Sequence, residues 1–252
     1  MSAELDWSFF IDQAWPGLSA AWGDNFQGLW DRYFTTPNLG RMLTVSLWQT
    51  FYMVTVSSVL TALLGIPLGV LLVTTRKGHI LGDVWRLNSV LGAIINATRS
   101  VPFIIFVVAV IPLTRALVGT SIGPTAVIVP LTLAAIALMA RLAESALLEV
   151  PHGVIEAAQA AGASSGQIIW HVLLPEARPG LVQAVTVMII TLIGYSAMAG
   201  AVGGGGLGDL AVRFGYQRYM ADVMLSTVII LIVVVQGIQS GGDTVARKVN
   251  RR

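Results

Sequence analysis

Residues Met42 to Thr75 form a run of 34 positions without a single charged side chain. About 20 mostly apolar residues are enough to cross the roughly 30 Å hydrocarbon core of a bilayer. The rest of the chain places this run in a membrane rather than in a soluble core. Only 11% of the 252 residues are charged and 55% are apolar, whereas roughly a quarter of a soluble domain is charged. So few charges cannot cover a soluble surface, which argues against a soluble enzyme. The same apolarity excludes intrinsic disorder. There is no cysteine, hence no disulfide frame and no thiolate metal site.

Four further stretches read as spans. Gly180–Gly208 and Val223–Gly242 are uncharged. Ala116–Ala140 is uncharged too, but Gly119–Pro124 reads as a turn and shortens the expected helix to Thr125–Ala140. Ser100–Thr114 lies between Arg99 and Arg115 and is short for a crossing. A buried core helix is the alternative there, and the uncharged stretch Leu87–Thr98 can lengthen it into a span. Five spans put the two termini on opposite sides. With the C-terminus in the cytoplasm, Arg76, Lys77, Arg86, Arg99, Arg141, Arg178, Arg247, Lys248, Arg251 and Arg252 fall inside, and Arg32, Arg41, Arg115, Arg213 and Arg218 outside. That ten-to-five split follows the positive-inside rule. The reading is an all-α integral membrane protein with the N-terminus outside and the C-terminus cytoplasmic. The first residues, Met1 to Asp6, are acidic where a signal peptide is basic. The first span is therefore expected to serve as the insertion signal.

The chain divides into an arm, residues 1–40, and a membrane domain, residues 41–252. The arm carries Glu4, Asp6, Asp12, Asp24 and Asp31 against Arg32, and Trp7, Trp15, Trp22 and Trp30 recur every seven or eight residues. That spacing puts the indoles on one helical face, suited to a membrane interface or to docking an outside partner. The longest polar interval, 141–179, is expected as a cytoplasmic helix–turn–helix. Pro151 starts a helix, the Ala-rich run from Glu156 extends it, and Gly162 ends it. Ser164 or Ser165 caps a second helix that Leu174-Pro175 stops. Such a hairpin is either a solvated connector or a plug for a cleft in a soluble partner.

Glu156-Ala157-Ala158, Gly162, Val172 and Leu174-Pro175 stand in the register Glu-Ala-Ala, three residues, Gly, nine residues, Ile, one residue, Leu-Pro, with Val172 in the Ile place. This resembles the cytoplasmic loop of importer permeases of the ATP-binding-cassette (ABC) class. In that class the hairpin docks into a groove of a cytoplasmic ATPase. The likeness narrows through Arg99-Ser-Val-Pro-Phe-Ile-Ile105, Ile111-Pro-Leu-Thr-Arg115, Val118-Gly-Thr-Ser-Ile-Gly123, Gly194-Tyr-Ser-Ala-Met-Ala-Gly-Ala-Val-Gly203 and Gly205-Gly-Leu-Gly208. These segments are similar to the permease subunits of bacterial methionine importers, from about Arg41 to the C-terminus. The acidic, Trp-rich arm is the departure.

The resemblance implies a type I ABC importer permease fold in the bacterial inner membrane, a homodimer of five-span subunits. It implies a cytoplasmic ATPase dimer that holds ATP and Mg, with no cofactor on this chain, and an extracytoplasmic methionine-binding protein. It implies ATPase coupling through Glu156, Ala157, Ala158, Gly162, Leu174 and Pro175, and import of methionine in L and possibly D form, and of close analogues. Family likeness and helix position favour a path along the fourth span at Gly194, Tyr195, Ser196, Met198 and Gly200, where glycines permit close approach or unwinding. Packing is the alternative for Met198 and the expectation for Met188. Gly65-Ile66-Pro67 is expected as a kink.

Other signals weigh against enzymes and against nucleic-acid binding. Gly203, Gly205 and Gly208 match G-x-G-x-x-G without the strand that a dinucleotide site needs, and no G-x-x-x-x-G-K-[S/T] occurs. His79, His152 and His171 lack metal-ligand spacing, and no catalytic or metal residues are assigned. Arg99 at a span's edge either gates or snorkels. An importer of the same architecture for another amino acid or small solute is the alternative. A channel or ion-coupled carrier is less favoured, because no ionisable residue sits inside the spans.

Overall fold

A computed structural model describes residues 37–77, 79–81 and 85–250. The Trp-rich arm up to residue 36 and Arg251 and Arg252 lie outside the described residues. Every element in the described residues is helical. In hydrocarbon no water can satisfy a peptide group, so a spanning segment must close its hydrogen bonds within itself.

The first helix, α1 (Pro37–Thr74), takes up the long uncharged run. Its 38 residues reach about 57 Å at 1.5 Å per residue, so it projects beyond the membrane core. The helix runs on through Pro67. Around that proline the sequence reading saw only a kink, and the structure adds a helix contact. A Cβ on Gly65 would sit 2.7 Å from the Met139 Cβ, and one on Gly69 2.6 Å from the Ala143 Cβ. Gly65-x-x-x-Gly69 is therefore a small-residue seam through which α1 and a neighbouring helix meet almost backbone to backbone.

The second crossing differs from the expected straight span. The helix α2 (Trp85–Ser100) ends before Pro102, and α3 (Phe103–Ala109) leaves at 102° to it. A residue that precedes proline is pushed out of the α region, and proline has no N–H to give. Val101-Pro102 is thus where the helix must break. A third piece, α4 (Ile111–Val118), ends on Gly119 in the left-handed region. Four helices among the described residues are long and apolar enough to cross a membrane by themselves, and the bent α2–α3 pair is either a broken fifth span or a re-entrant loop.

The next helix, α5 (Pro124–Leu148), starts one residue before the expected Thr125 and runs eight beyond Ala140. Arg141 does not end it. Its guanidinium pairs with Glu144 one turn on and donates to Gly92 O (3.1 Å) and Asn96 Oδ1 (2.9 Å) of α2. Both terminal nitrogens of the guanidinium are thus bonded at a helix–helix seam, which lets the helix continue past the charge. The polar interval therefore begins as helix.

After a hairpin come the last two long helices, which we number α9 (Arg178–Gly200) and α11 (Ala221–Val249). Between them α10 (Gly206–Leu210) and a π-helical turn (Ala211–Tyr216) fold back along the end of α9. The core is shared by α1, α3, α5 and α9. Met53, Phe103, Leu131, Met139, Met188 and Leu192 are buried there. Met188 is pure packing, as its position in the fourth span suggested. On the outside, α11 presents Ile229, Ile232 and Val233, and α1 presents Val59, Leu63 and Leu64, all exposed. In lipid such faces need no cover.

Candidate functional site

Between α5 and α9 lies the hairpin that carries the Glu-Ala-Ala motif. Its first arm is α6 (His152–Ala160), preceded by Pro151. Gly162 (φ +80°) ends it in the left-handed region. The Gly162 N–H donates to Gln159 O (2.9 Å) and the Ala163 N–H to Ala158 O (3.1 Å). Those two bonds form the 5→2 and 6→1 pair of a Schellman cap, which satisfies the orphan carbonyls and requires positive φ. The motif's spacing from Ala158 to Gly162 is thus the spacing of a helix end.

Ser164 then starts α7 (Ser165–Ile168) with a capping box. Its hydroxyl accepts from Gln167 N (3.4 Å), and the Gln167 side chain accepts from Ser164 N (2.8 Å). Ser164→Ala should cost about 1 kcal/mol. Amide hydrogen exchange over 164–168 in the purified protein should quicken, with the spanning helices unchanged.

Leu174-Pro175 does not stop the second arm. A π-helical turn (Ile169–Leu173) follows α7, with Leu174 N–H bonded to Ile169 O, and α8 (Leu174–Glu176) continues it. Pro175 sits in the first turn of α8, where its missing N–H is not needed. Ala177 N–H reaches Leu173 O (3.1 Å) and Leu181 N–H reaches Ala177 O (2.9 Å). The second arm therefore feeds into α9 with only a one-residue turn between them.

The inner face of the hairpin is fixed to the bundle. Ile155, Ile168 and Leu173 are buried against Val73 of α1 and Leu147 and Val150 at the end of α5. Ala158, Val172 and Leu174 pack at the edge of the same cluster. The other motif residues face away: Glu156, Ala157 and Gly162 are exposed, as is Trp170, at 70%. His152 Nδ1 lies 3.0 Å from Glu156 Oε1 on this open surface. The His152 ring meets the edge of His79 from the α1–α2 loop, with centroids 5.7 Å apart. Burial, then His152 and Arg76, holds the His79 imidazole below its ordinary pKa.

The residues expected along a path do not share one environment. Gly194 and Met198 (49% exposed) lie on the outward face of α9 with Gln183 and Val187. Tyr195 turns inward and stacks on Phe103, with centroids 4.3 Å apart and rings 3° from parallel. Ser196 is buried and donates to Ile193 O (2.8 Å) in its own helix. At Gly200 a Cβ would overlap the backbone of Gly208 and Asp209, which is close approach in the strict sense. At Gly194 a Cβ would meet nothing within 4 Å.

Sequence reasoning missed the residues that hold the opposite end. Gln49 and Thr50 of α1 hydrogen-bond the start of α10. An amide side chain within a long uncharged span was the available signal, because polar groups at membrane depth are costly unless they have work to do.

The sequence profile of the family "binding-protein-dependent transport system inner membrane component" matches residues 65–251. The chain belongs to this family. Among its relatives, this inner membrane component is 55% identical over 211 residues to the "probable D-methionine transport system permease protein MetI" of Vibrio cholerae, covering 84% of this chain and 93% of the relative. It is 52% identical over 159 residues to the "D-methionine transport system permease protein MetI" of Escherichia coli K12, covering 63% and 73%. A solved inward-facing structure of the MetNI methionine ABC transporter superposes with a TM-score of 0.84 at 48% identity, covering 86% of this chain and all of that one. An amino acid ABC transporter crystallised with histidines shares the fold, with a TM-score of 0.70 at 17% identity.

Proposed function

We infer that this inner membrane component is the membrane subunit of an ATP-driven importer that moves methionine into the cell by alternating access. The observation that carries the transport reading is the hairpin. Its inner face is locked to α1 and α5, its second arm runs into α9, and Glu156 and Ala157 are left exposed. A cytoplasmic ATPase seats on that surface. Glu156 meets a basic partner there, the small Ala157 lets the surfaces close, and Ala158, Gly162, Leu174 and Pro175 fix the shape presented. ATP and Mg belong to that ATPase, and this chain supplies no bond chemistry.

Two copies of this chain share one path, with the exposed face of α9 at Gly194 and Met198 toward it. Tyr195, Ser196 and Gly200 support that face from behind. The excess of Lys and Arg beside the hairpin puts that end in the cytoplasm and the N-terminus outside. An extracytoplasmic binding protein delivers the substrate. The choice of methionine rests on the names and extent of the relatives, of which the permeases are named for D-methionine and the solved transporter for methionine.

The test is uptake of labelled methionine by vesicles that hold this chain, its partner ATPase and a binding protein. ATP-dependent accumulation, chased by excess unlabelled methionine, is expected. ATP hydrolysis without methionine uptake would leave the coupling and overturn the substrate.

A further inference from the structure

At the end of the bundle opposite the hairpin, the chain between α9 and α10 is Ala201-Val202 followed by three glycines, the first residue of α10 is a fourth, and Gly203, Gly205 and Gly206 all have positive φ. A helix start leaves backbone N–H groups without partners, and in a low-dielectric setting each is costly. For α10 two of them are met from another helix. The Gly206 N–H donates to Gln49 Oε1 (2.9 Å) and the Leu207 N–H to Thr50 Oγ1 (2.9 Å). Thr50 is 5% exposed, and its hydroxyl hydrogen goes to Ser46 O (3.0 Å), which leaves its oxygen free to accept. On the other side Gly203 O accepts from Gly123 N–H (3.0 Å) of the α4–α5 turn.

We propose that Gln49 and Thr50 are a latch that holds this glycine loop shut, and that the loop must leave them once in each transport cycle. The proposal rests on the transport reading above. Three features separate a latch from a fixed strut. The hydrogen bonds to α1 at the start of α10 come from two side-chain acceptors on backbone donors, which water can replace when the loop lifts, with Met53 packed beside them. The segment that would move is a run of glycines, which absorbs large changes in φ and ψ. The loop also roofs the end of α9, the helix into which the hairpin feeds, so a motion at the hairpin arrives at this contact.

The chain has no native cysteine, so Thr50→Cys with Leu207→Cys can be made without other changes. The pair is placed in the full transporter, with its ATPase and binding protein, in vesicles. Under oxidation, uptake of labelled methionine should fall to roughly a tenth or less and return with reductant. Disulfide formation should also slow when the ATPase is trapped with ATP and vanadate. Separately, Gln49→Leu with Thr50→Val removes both acceptors and should raise hydrolysis in the absence of binding protein by roughly ten- to thirtyfold. Gln49 paired with Thr50→Ser should restore the low basal rate, because the hydroxyl is kept.

Equal uptake by the oxidised and reduced transporter, with the disulfide verified, would overturn the latch. So would a cross-linking rate indifferent to nucleotide trapping. If wild type accumulates no methionine while trapping still slows the cross-link, the substrate reading fails and the latch stands.

Discussion

Gly208→Val should leave little folded protein to extract from the membrane. A Cβ at Gly208 would overlap Ala197 Cα and the Ala197 carbonyl, and a Cβ at Gly200 would overlap Gly208 and the Asp209 nitrogen. Backbone faces backbone on both sides, so no side chain can swing aside. The return segment would have to lift off α9, against which its backbone is directly packed. Overpacking costs about 3 kcal/mol at the upper end of its usual range, and immovable neighbours put this site there. The check is the thermal transition and yield of detergent-purified protein, with Gly237→Ala as control. A Cβ at Gly237 meets nothing within 4 Å, and alanine favours a helix interior. A wild-type melt for Gly208→Val would mean that the return segment does not lie on α9 in this way.

Gly162→Pro should abolish ATP-driven uptake while leaving the chain inserted. Proline holds φ near −65°, whereas Gly162 sits at +80°. The ring also removes the N–H that bonds Gln159 O. The Schellman end of α6 cannot form, and the surface that carries Glu156 and Ala157 loses its shape. Gly162→Ala is the graded version, because a side chain in the left-handed region costs about 1 kcal/mol. It should retain part of the uptake. The readouts are uptake per permease and the amount of ATPase that co-purifies. Normal import by Gly162→Pro with a full complement of ATPase would exclude docking through this hairpin.

Much of this architecture is legible in the residues. Hydropathy locates the four long helices because the bilayer imposes one length scale on all of them. The helix end at Gly162 and the cap at Ser164 are readable because both are local: each needs a particular residue at a particular offset and nothing from the rest of the fold. The misses are long-range or compensated. Pro102 could be seen, but its effect, a 102° turn between α2 and α3, depends on what each piece packs against. Pro175 carries a stop signal that the π-helical turn before it absorbs. Arg141 reads as the edge of a span until its partners on α2 are known. Gly65-x-x-x-Gly69 and Gln49 act on residues more than 70 positions away, and no window along the chain contains both sides of such a contact. The residues expected along a path divide between two environments, with Ser196 buried and Met198 exposed, because residues two positions apart on a helix lie on opposite faces.

The turn at Ala177 that joins the hairpin to α9 sets a gear ratio. With so short a joint, little slack separates the second arm of the hairpin from the helix above it, and under the transport reading α9 would swing as an arm about its base. Its 23 residues give an arm of about 35 Å. A tilt of about 10° at the hairpin end then carries the far end some 6 Å sideways, roughly the pitch of one helical turn. On that reading a small stroke below emerges at the top large enough to pass a side chain.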